Sequence, residues 1–218
     1  MLEAVLFDWT NTLVEFTWDD ELLVAGHRAA LGRDDPDFTA RYRTLVLGDR
    51  AHRPYAELLA ELGVHDPDAF IDAEHAVWLG ANEVLSSAQA LLEALQSRGL
   101  RTGVVANSWP DPPRVLRGDA ERLGLAPHLD VQVWSGDVGA RKPEPAIFLH
   151  ATAALGVDPT STMYVGDSLA NDVAGSARVG MTTVQALWFT ADDTPGIEPD
   201  FLAFTPMDVL NAAVRLAL

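Results

Sequence analysis

Four residues spread along the chain have side chains that could do chemistry together. Asp8 ends the apolar run 4–7, Asp167 and Asp172 stand five residues apart after another apolar run, and Lys142 precedes a proline. Lys142 is the only lysine among 15 basic residues, so a general use of lysine at the surface does not explain it. Three carboxylates and one ammonium group together indicate a functional site.

This set of side chains is typical of phosphoryl chemistry assisted by a divalent cation. Carboxylates that lie close together repel one another unless a cation lies between them, and Mg²⁺ prefers carboxylate, carbonyl and water oxygens. A nearby ammonium group binds an anion and keeps a neighbouring carboxylate ionised. An ionised aspartate beside a phosphoryl group can act as a nucleophile. The pattern therefore predicts phosphoryl transfer through an aspartyl-phosphate intermediate.

Alternating strand and helix patterns explain how these residues could meet. Short apolar runs predict buried strands at 4–7, 102–106, 131–134, 162–165 and 182–186. Helical patterns separate the later runs; the first begins with a capping box at Ser86 and Gln89. Such alternation predicts an α/β fold with a doubly wound parallel sheet. Ligands of these sheets bind at the carboxyl ends of the strands, where Asp8, Asn107, Ser108 and the acidic pair lie.

One segment breaks the alternation and predicts a second domain. No strand pattern occurs between residue 16 and about residue 83, and helices are expected at 19–31, 36–47, 54–62 and 67–79. Four successive helices cannot all belong to one crossover between parallel strands. We therefore expect a core domain of residues 1–15 and 84–218 and a helical cap domain of residues 16–83.

Composition excludes several classes of function. The absence of cysteine excludes disulfides, thiolate zinc sites and cysteine nucleophiles. The net charge of −17 argues against nucleic acid as a partner and favours a small anionic metabolite held by local positive charge. No apolar run is long enough to span a membrane, and no basic segment precedes the first apolar run as in a secretory signal. A cytoplasmic protein is the default expectation, as a monomer or a homodimer.

Three segments resemble the motifs of the haloacid dehalogenase (HAD) superfamily of hydrolases. They are residues 7–13 (FDWTNTL), 140–148 (ARKPEPAIF) and 164–173 (YVGDSLANDV). The resemblance implies a Rossmannoid core with strand order 3-2-1-4-5 and a C1-type helical cap inserted after the first strand. It also implies a hydrolase that uses Mg²⁺.

Carried over residue by residue, the resemblance gives each site residue a role. Asp8 would be the nucleophile, and Lys142 would hold it and the phosphoryl oxygens. The implied Mg²⁺ ligands are Asp8, the backbone carbonyl of Thr10, Asp167 and Asp172, the last as a ligand or as a residue that orients the others. Asn107 and Ser108 would face the phosphoryl group.

The chain departs from the family pattern at two positions. Family phosphatases usually carry a second aspartate two residues after the nucleophile, where this chain has Thr10, and a threonine or serine where it has Ala106. A threonine hydroxyl cannot replace a carboxylic acid in general acid–base catalysis. Three readings stay open: a Mg²⁺-dependent phosphatase that is slow, or that uses a good leaving group or a base from the cap; a 2-haloacid dehalogenase-like hydrolase that attacks carbon; and a catalytically weak phosphate-binding protein.

Residues of the predicted cap are candidates for contacts with the substrate. A local basic cluster contains Arg41, Arg43, Arg50, His52, Arg53 and Tyr55, and from it we single out Arg53 as an anion-binding residue. A solvated helix face is the alternative. Three tryptophans are candidates to line the cleft: Trp18, Trp78 and Trp109. Trp109 directly follows the Asn107-Ser108 pair, so it is the strongest candidate of the three.

Overall fold

The predicted strands form one parallel sheet. The computed structural model describes residues 1–17, 19–48 and 53–217. Its strands are β1 (Ala4–Phe7), β2 (Val14–Phe16), β3 (Asn82–Val84), β4 (Arg101–Ala106), β5 (Val131–Trp134), β6 (Thr162–Gly166), β7 (Thr182–Ala186) and β8 (Phe201–Ala203). β2 and β3 form a separate two-stranded sheet.

The order of the six-stranded sheet is β5-β4-β1-β6-β7-β8, and every neighbouring pair is parallel. Counted along the chain, the first five of these strands have the expected order 3-2-1-4-5, which confirms the α/β doubly wound sheet. β8, like β2 and β3, was not predicted; it is a three-residue edge strand beside β7. The central strand, β1, is fully buried, as the continuous apolar run requires.

Helices connect the strands and flank the sheet. They are α1 (Asp20–Leu31), α2 (Pro36–Leu45), α3 (Tyr55–Glu61), α4 (Pro67–Trp78), α5 (Ala88–Gln96), α6 (Pro113–Arg122), α7 (Ser135–Val138), α8 (Pro145–Leu155), α9 (Ala174–Ala177) and α10 (Pro206–Ala217). α8 packs Ile147 and Phe148 against Leu6 and Val105 of the sheet. None of the helices in the described part of the chain is long and apolar enough to cross a membrane.

Local capping signals succeeded for two helices and failed for one. The Asp35 and Asp66 side chains accept the backbone N–H groups of Phe38 and Ala69, and each precedes a proline at the first helical position. The capping box at Ser86 is wrong. The N-cap of α5 is Ser87, whose side chain makes no capping hydrogen bond, and Gln89 bonds instead to Glu93 within the helix.

The chain divides into two compact units. The core unit contains Met1–Glu15, Val84–Asn107 and Ala120–Leu218, and the helical unit contains Phe16–Glu83 and Ser108–Asp119. Residues 108–119, which the sequence assigned to the core domain, therefore group with the helices. The assignment of the helical segment as a cap domain stays a prediction.

A buried polar network lies inside the helical unit. Glu74, with 1% of its surface exposed, accepts a hydrogen bond from the Tyr55 hydroxyl at 2.5 Å, and its other oxygen lies 3.3 Å from Nε2 of His27. The Nδ1 atom of His27 is 2.8 Å from the Thr39 hydroxyl. Burial raises the pKa of Glu74 to about 8, and burial, helped by Arg43, lowers the pKa of His27 to about 4. At neutral pH both side chains are therefore mainly uncharged.

We predict that Glu74 makes the protein less stable as the pH rises from 6.5 to 8. The folded state holds the Glu74 proton up to a pKa of about 8, whereas the unfolded chain releases it near 4.5, so the stabilisation declines toward pH 8. The opposite effect of His27 is mostly complete at pH 6.5, because it develops between the folded pKa of about 4 and the unfolded pKa of 6.5. Urea unfolding should show a fall of about 1–2 kcal/mol over this range.

The Glu74→Gln variant should lose this contribution and show a smaller fall than the wild type, because glutamine keeps a hydrogen-bonding group but cannot titrate. Glu57→Gln, at an exposed position of α3, is the matched control and should keep the wild-type pH dependence. Parallel pH profiles for the wild type and Glu74→Gln would contradict the prediction.

Candidate active site

The sheet order brings the chemical residues to one edge. Asp8 follows β1, Asn107 follows β4 and Asp167 follows β6, and β1 lies between the other two strands. Because the strands are parallel, their carboxyl ends lie at the same edge of the sheet. Asp172 belongs to a π-helical turn, Leu169–Val173, directly after the β6 loop.

Lys142 links two of the predicted carboxylates. Its ammonium nitrogen lies 2.6 Å from Oδ1 of Asp8 and 2.6 Å from Oδ1 of Asp172, and it donates to the Tyr164 hydroxyl at 3.1 Å. An ammonium group has three N–H donors, so these three acceptors use all of them. Lys142 is only 3% exposed. Burial alone would lower the pKa of Lys142, but the carboxylates of Asp172 and Asp8 outweigh it and raise this pKa above its usual value.

Asn107 fixes the backbone of Lys142. Its side-chain amide donates to the Lys142 carbonyl at 3.1 Å and its side-chain oxygen accepts the Lys142 N–H at 2.8 Å. This reciprocal pair ties the end of β4 to the lysine segment. The structure thus gives Asn107 a role in positioning the lysine, which the sequence did not predict. Its contact with a phosphoryl group stays a prediction.

Asp172 packs directly against the backbone of Gly166. A Cβ atom at Gly166 would lie 2.4 Å from Cγ of Asp172, which is closer than real side chains approach. Oδ2 of Asp172 also accepts the backbone N–H of Ser168 at 3.0 Å. Glycine is therefore required just before Asp167 so that the second acidic residue can fold back toward Lys142.

The three carboxylates form a group that could hold a metal ion. Asp8, Asp167 and Asp172 each offer an oxygen, and these atoms lie within 4.8 Å of one another. Burial raises the pKa of Asp8 to about 7 against the opposing effect of Lys142, and the other two carboxylates add to the rise. Burial and Asp172 also raise the pKa of Asp167.

This donor set fits Mg²⁺. A divalent cation among the oxygens would favour the ionised form of all three groups and remove their mutual repulsion. The single ammonium of Lys142 contacts two of the three carboxylates and leaves the site with an excess of acidic groups. Three carboxylates at this spacing match the hard oxygen ligands that Mg²⁺ requires.

The loop that follows Asp8 is held by its own backbone. The Trp9 carbonyl accepts N–H groups from Leu13 and Val14, and the N–H of Asn11 donates to the Val14 carbonyl at 2.7 Å. Asn11 adopts a left-handed conformation with φ 59°, which asparagine tolerates better than most residues. Thr10 lies exposed in this loop. The role of its carbonyl as a metal ligand stays a prediction.

Three other candidates fall in the helical unit. Ser108 and Trp109 lie in its segment 108–119, and Trp109 packs against the apolar cluster of that unit, as does the buried Trp78. Arg53 donates to Glu61 at 2.6 Å. The predicted substrate contacts of Ser108, Trp109 and Arg53 therefore stay predictions. Three further candidates lie outside the described residues: Trp18, Arg50 and His52.

Two residues of the site were not predicted. Tyr164 lies inside the apolar run of β6, and its hydroxyl donates to the Val105 carbonyl at 2.6 Å while accepting from Lys142. Thr190, in the loop after β7, donates to Oδ2 of Asp167 at 2.9 Å. Tyr164 could have been found from the sequence, because its hydroxyl is a polar group within an otherwise apolar strand. The second contact joins residues that are distant in sequence, and no local pattern indicates it.

Known proteins resemble the chain over nearly its whole length. A phosphoglycolate phosphatase from Aquifex aeolicus is 26% identical over 96% of this chain and 96% of its own. The crystal structure of a HAD phosphatase from Thermococcus onnurineus superposes with a TM-score of 0.75 at 26% identity, covering 97% of each chain. A 2-haloacid dehalogenase from Pseudomonas syringae shares the fold with a TM-score of 0.71 at 24% identity over 99% of each chain.

The family comparison covers the site itself. A sequence model of the haloacid dehalogenase-like hydrolases matches residues 2–180, a range that contains Asp8, Lys142, Asp167 and Asp172. The order of the sheet strands and the position of these residues at its carboxyl edge agree with that match. The chain therefore belongs to the haloacid dehalogenase-like hydrolase family.

Proposed function

We propose that this protein is a Mg²⁺-dependent phosphatase that hydrolyses small phosphorylated metabolites through an aspartyl-phosphate on Asp8. The observation that carries the proposal is the position of the Lys142 ammonium, 2.6 Å from both Asp8 and Asp172 within a group of carboxylates that fits Mg²⁺. The relative named a phosphoglycolate phosphatase supports phosphate monoesters as the substrate class.

Asp8 supplies the nucleophile in the proposed reaction. One of its oxygens attacks phosphorus, the bond between phosphorus and the leaving oxygen breaks, and the leaving oxygen takes a proton. Water then attacks phosphorus, the bond to Asp8 breaks, and inorganic phosphate leaves with Asp8 restored as a carboxylate. Mg²⁺, held by Asp8, Asp167, Asp172 and the Thr10 carbonyl, would neutralise negative charge on the phosphoryl oxygens.

Lys142 keeps Asp8 ready for attack. Its positive charge favours the ionised carboxylate, and its two short contacts fix the direction of the Asp8 side chain. All three of its N–H groups already have acceptors. A phosphoryl oxygen that binds Lys142 must therefore replace one of them, and the longest contact, at 3.1 Å to Tyr164, is the one most easily given up.

Thr10 limits how the leaving group can be protonated. A carboxylic acid at this position would donate that proton and later activate water, and such acid–base catalysis contributes about 10²–10⁴-fold. With threonine there, the proton comes from solvent or from another residue. The enzyme should therefore be slow on alkyl phosphates and faster on esters whose leaving group needs no proton.

The same threonine supports a second candidate, a dehalogenase-like hydrolase. In that reaction Asp8 would attack carbon and displace a halide, and no acid two residues later is needed. Such an enzyme would not depend on Mg²⁺, whereas the acidic group around Asp167 favours the metal-dependent reaction. A screen of phosphate monoesters and 2-haloacids, each with Mg²⁺ and with EDTA, separates the two; a phosphate-binding protein without activity would turn over neither.

We predict that Asp8→Asn reduces Mg²⁺-dependent hydrolysis of p-nitrophenyl phosphate to background. The asparagine amide has nearly the same shape but lacks the nucleophilic oxygen. The exposed Asp193→Asn is the matched control and should keep the wild-type rate. Full activity of Asp8→Asn together with loss of activity in Asp167→Asn would exclude Asp8 as the nucleophile.

We predict that Thr10→Asp raises the rate on alkyl phosphates such as glycerol phosphate, by up to about 10²-fold. The rise on p-nitrophenyl phosphate should be smaller, because that leaving group departs without a proton. Thr10→Asn has a similar size and no titratable proton, so it should give no rise. If Thr10→Asp leaves the ratio of the two rates unchanged, the missing acid is not what limits the enzyme.

A further inference from the structure

The first part of the loop after β7 is tied to two segments of the active site. Its residue Trp188 donates from Nε1 to the Thr12 carbonyl at 2.9 Å, next to the Asp8 segment. Oδ2 of Asp192 accepts the N–H of Leu169 at 2.7 Å, at the start of the turn that carries Asp172. The buried Gln185 of β7 donates to the Asp192 carbonyl at 2.7 Å and anchors the loop to the sheet.

Thr190 lies between these two ties and reaches Asp167. Its hydroxyl donates to Oδ2 of Asp167 at 2.9 Å. Threonine is branched at Cβ, so its side chain has few orientations and its hydroxyl stays directed at the carboxylate once the loop is fixed. The contact therefore restricts the rotation of the Asp167 carboxylate.

Asp167 depends on this contact more than its two partners do. Asp8 and Asp172 are both held by the Lys142 ammonium, and Asp172 also accepts the Ser168 N–H. The contacts of Asp167 do not include that ammonium group at ion-pair distance among the described residues. A hydroxyl donor favours the ionised form of a carboxylate and sets its direction, as partners of metal ligands commonly do.

We propose that Thr190 is a positioning residue that holds Asp167 in the direction required to bind the divalent cation. The proposal rests on the magnesium site of the proposed function. It assigns a role to the loop after β7, which lies outside the three motifs that carry the family resemblance. It also predicts that affinity for the metal depends on a hydroxyl group that does not itself belong to the acidic group.

The test is the affinity of the metal-free protein for Mg²⁺ measured by isothermal titration calorimetry, with Mn²⁺ as a spectroscopic probe of the same site. Thr190→Val keeps the branched shape without the hydroxyl and should weaken binding by about 10–100-fold. Thr190→Ser restores the hydroxyl and should bind within a few-fold of the wild type. The melting temperature without metal should stay close to wild type in all variants.

A second threonine of the same loop provides the matched control. The Thr194 hydroxyl donates to Asp192 rather than to Asp167, so Thr194→Val should bind Mg²⁺ as the wild type does. Wild-type affinity in Thr190→Val, or equal weakening in Thr194→Val, would overturn the role of Thr190 and leave the proposed function intact. A wild-type protein that binds no Mg²⁺ would overturn the metal site and this proposal together.

Discussion

The proposed active site depends on one buried ammonium group held between two carboxylates. Lys142 contacts Asp8 and Asp172 at the same distance, 2.6 Å, in a place almost closed to solvent. Removing charges from water is costly, and the cost is offset only when partners and hydrogen bonds are well placed. Loss of Lys142 would leave two buried carboxylates without their positive partner, and such an uncompensated buried charge typically costs about 3–5 kcal/mol. The site therefore constrains stability as well as chemistry.

The rest of the core unit can be understood as a support for that contact. The sheet order places β1 between β4 and β6, so the segments after these strands reach a common edge. Asn107 then fixes the lysine backbone, and Gly166 leaves the space that Asp172 occupies. Asn107 follows β4 and Gly166 ends β6. Both contacts therefore depend on the same sheet order that places Asp8 between them.

The sequence predicted those parts of the site that have a local signature. Asp8, Asp167 and Asp172 follow apolar runs. Lys142 is the only lysine of the sequence and precedes a proline. Each of these patterns is visible within about ten residues. The helices of residues 20–78 were predicted for the same reason, since proline and glycine mark most of their ends.

What the sequence could not predict depends on contacts between distant segments. Tyr164 contacts Lys142, and Thr190 contacts Asp167, only because the fold brings these distant segments together. β8 covers only three residues at the edge of the sheet with Leu202 exposed, and a short apolar run such as 201–204 does not by itself distinguish a strand from a helix. The Ser86 signal failed because α5 begins one residue later than the capping box predicts, after Ser87, whose side chain makes no capping hydrogen bond.

The solitary lysine also determines how the folded chain reacts with reagents that modify amines. Lys142 is the only side-chain amine, and both its enclosure and its persistent protonation protect it from acylation or reductive alkylation. Covalent labelling at Lys142 would therefore report directly on how often the site opens, without interference from other lysines.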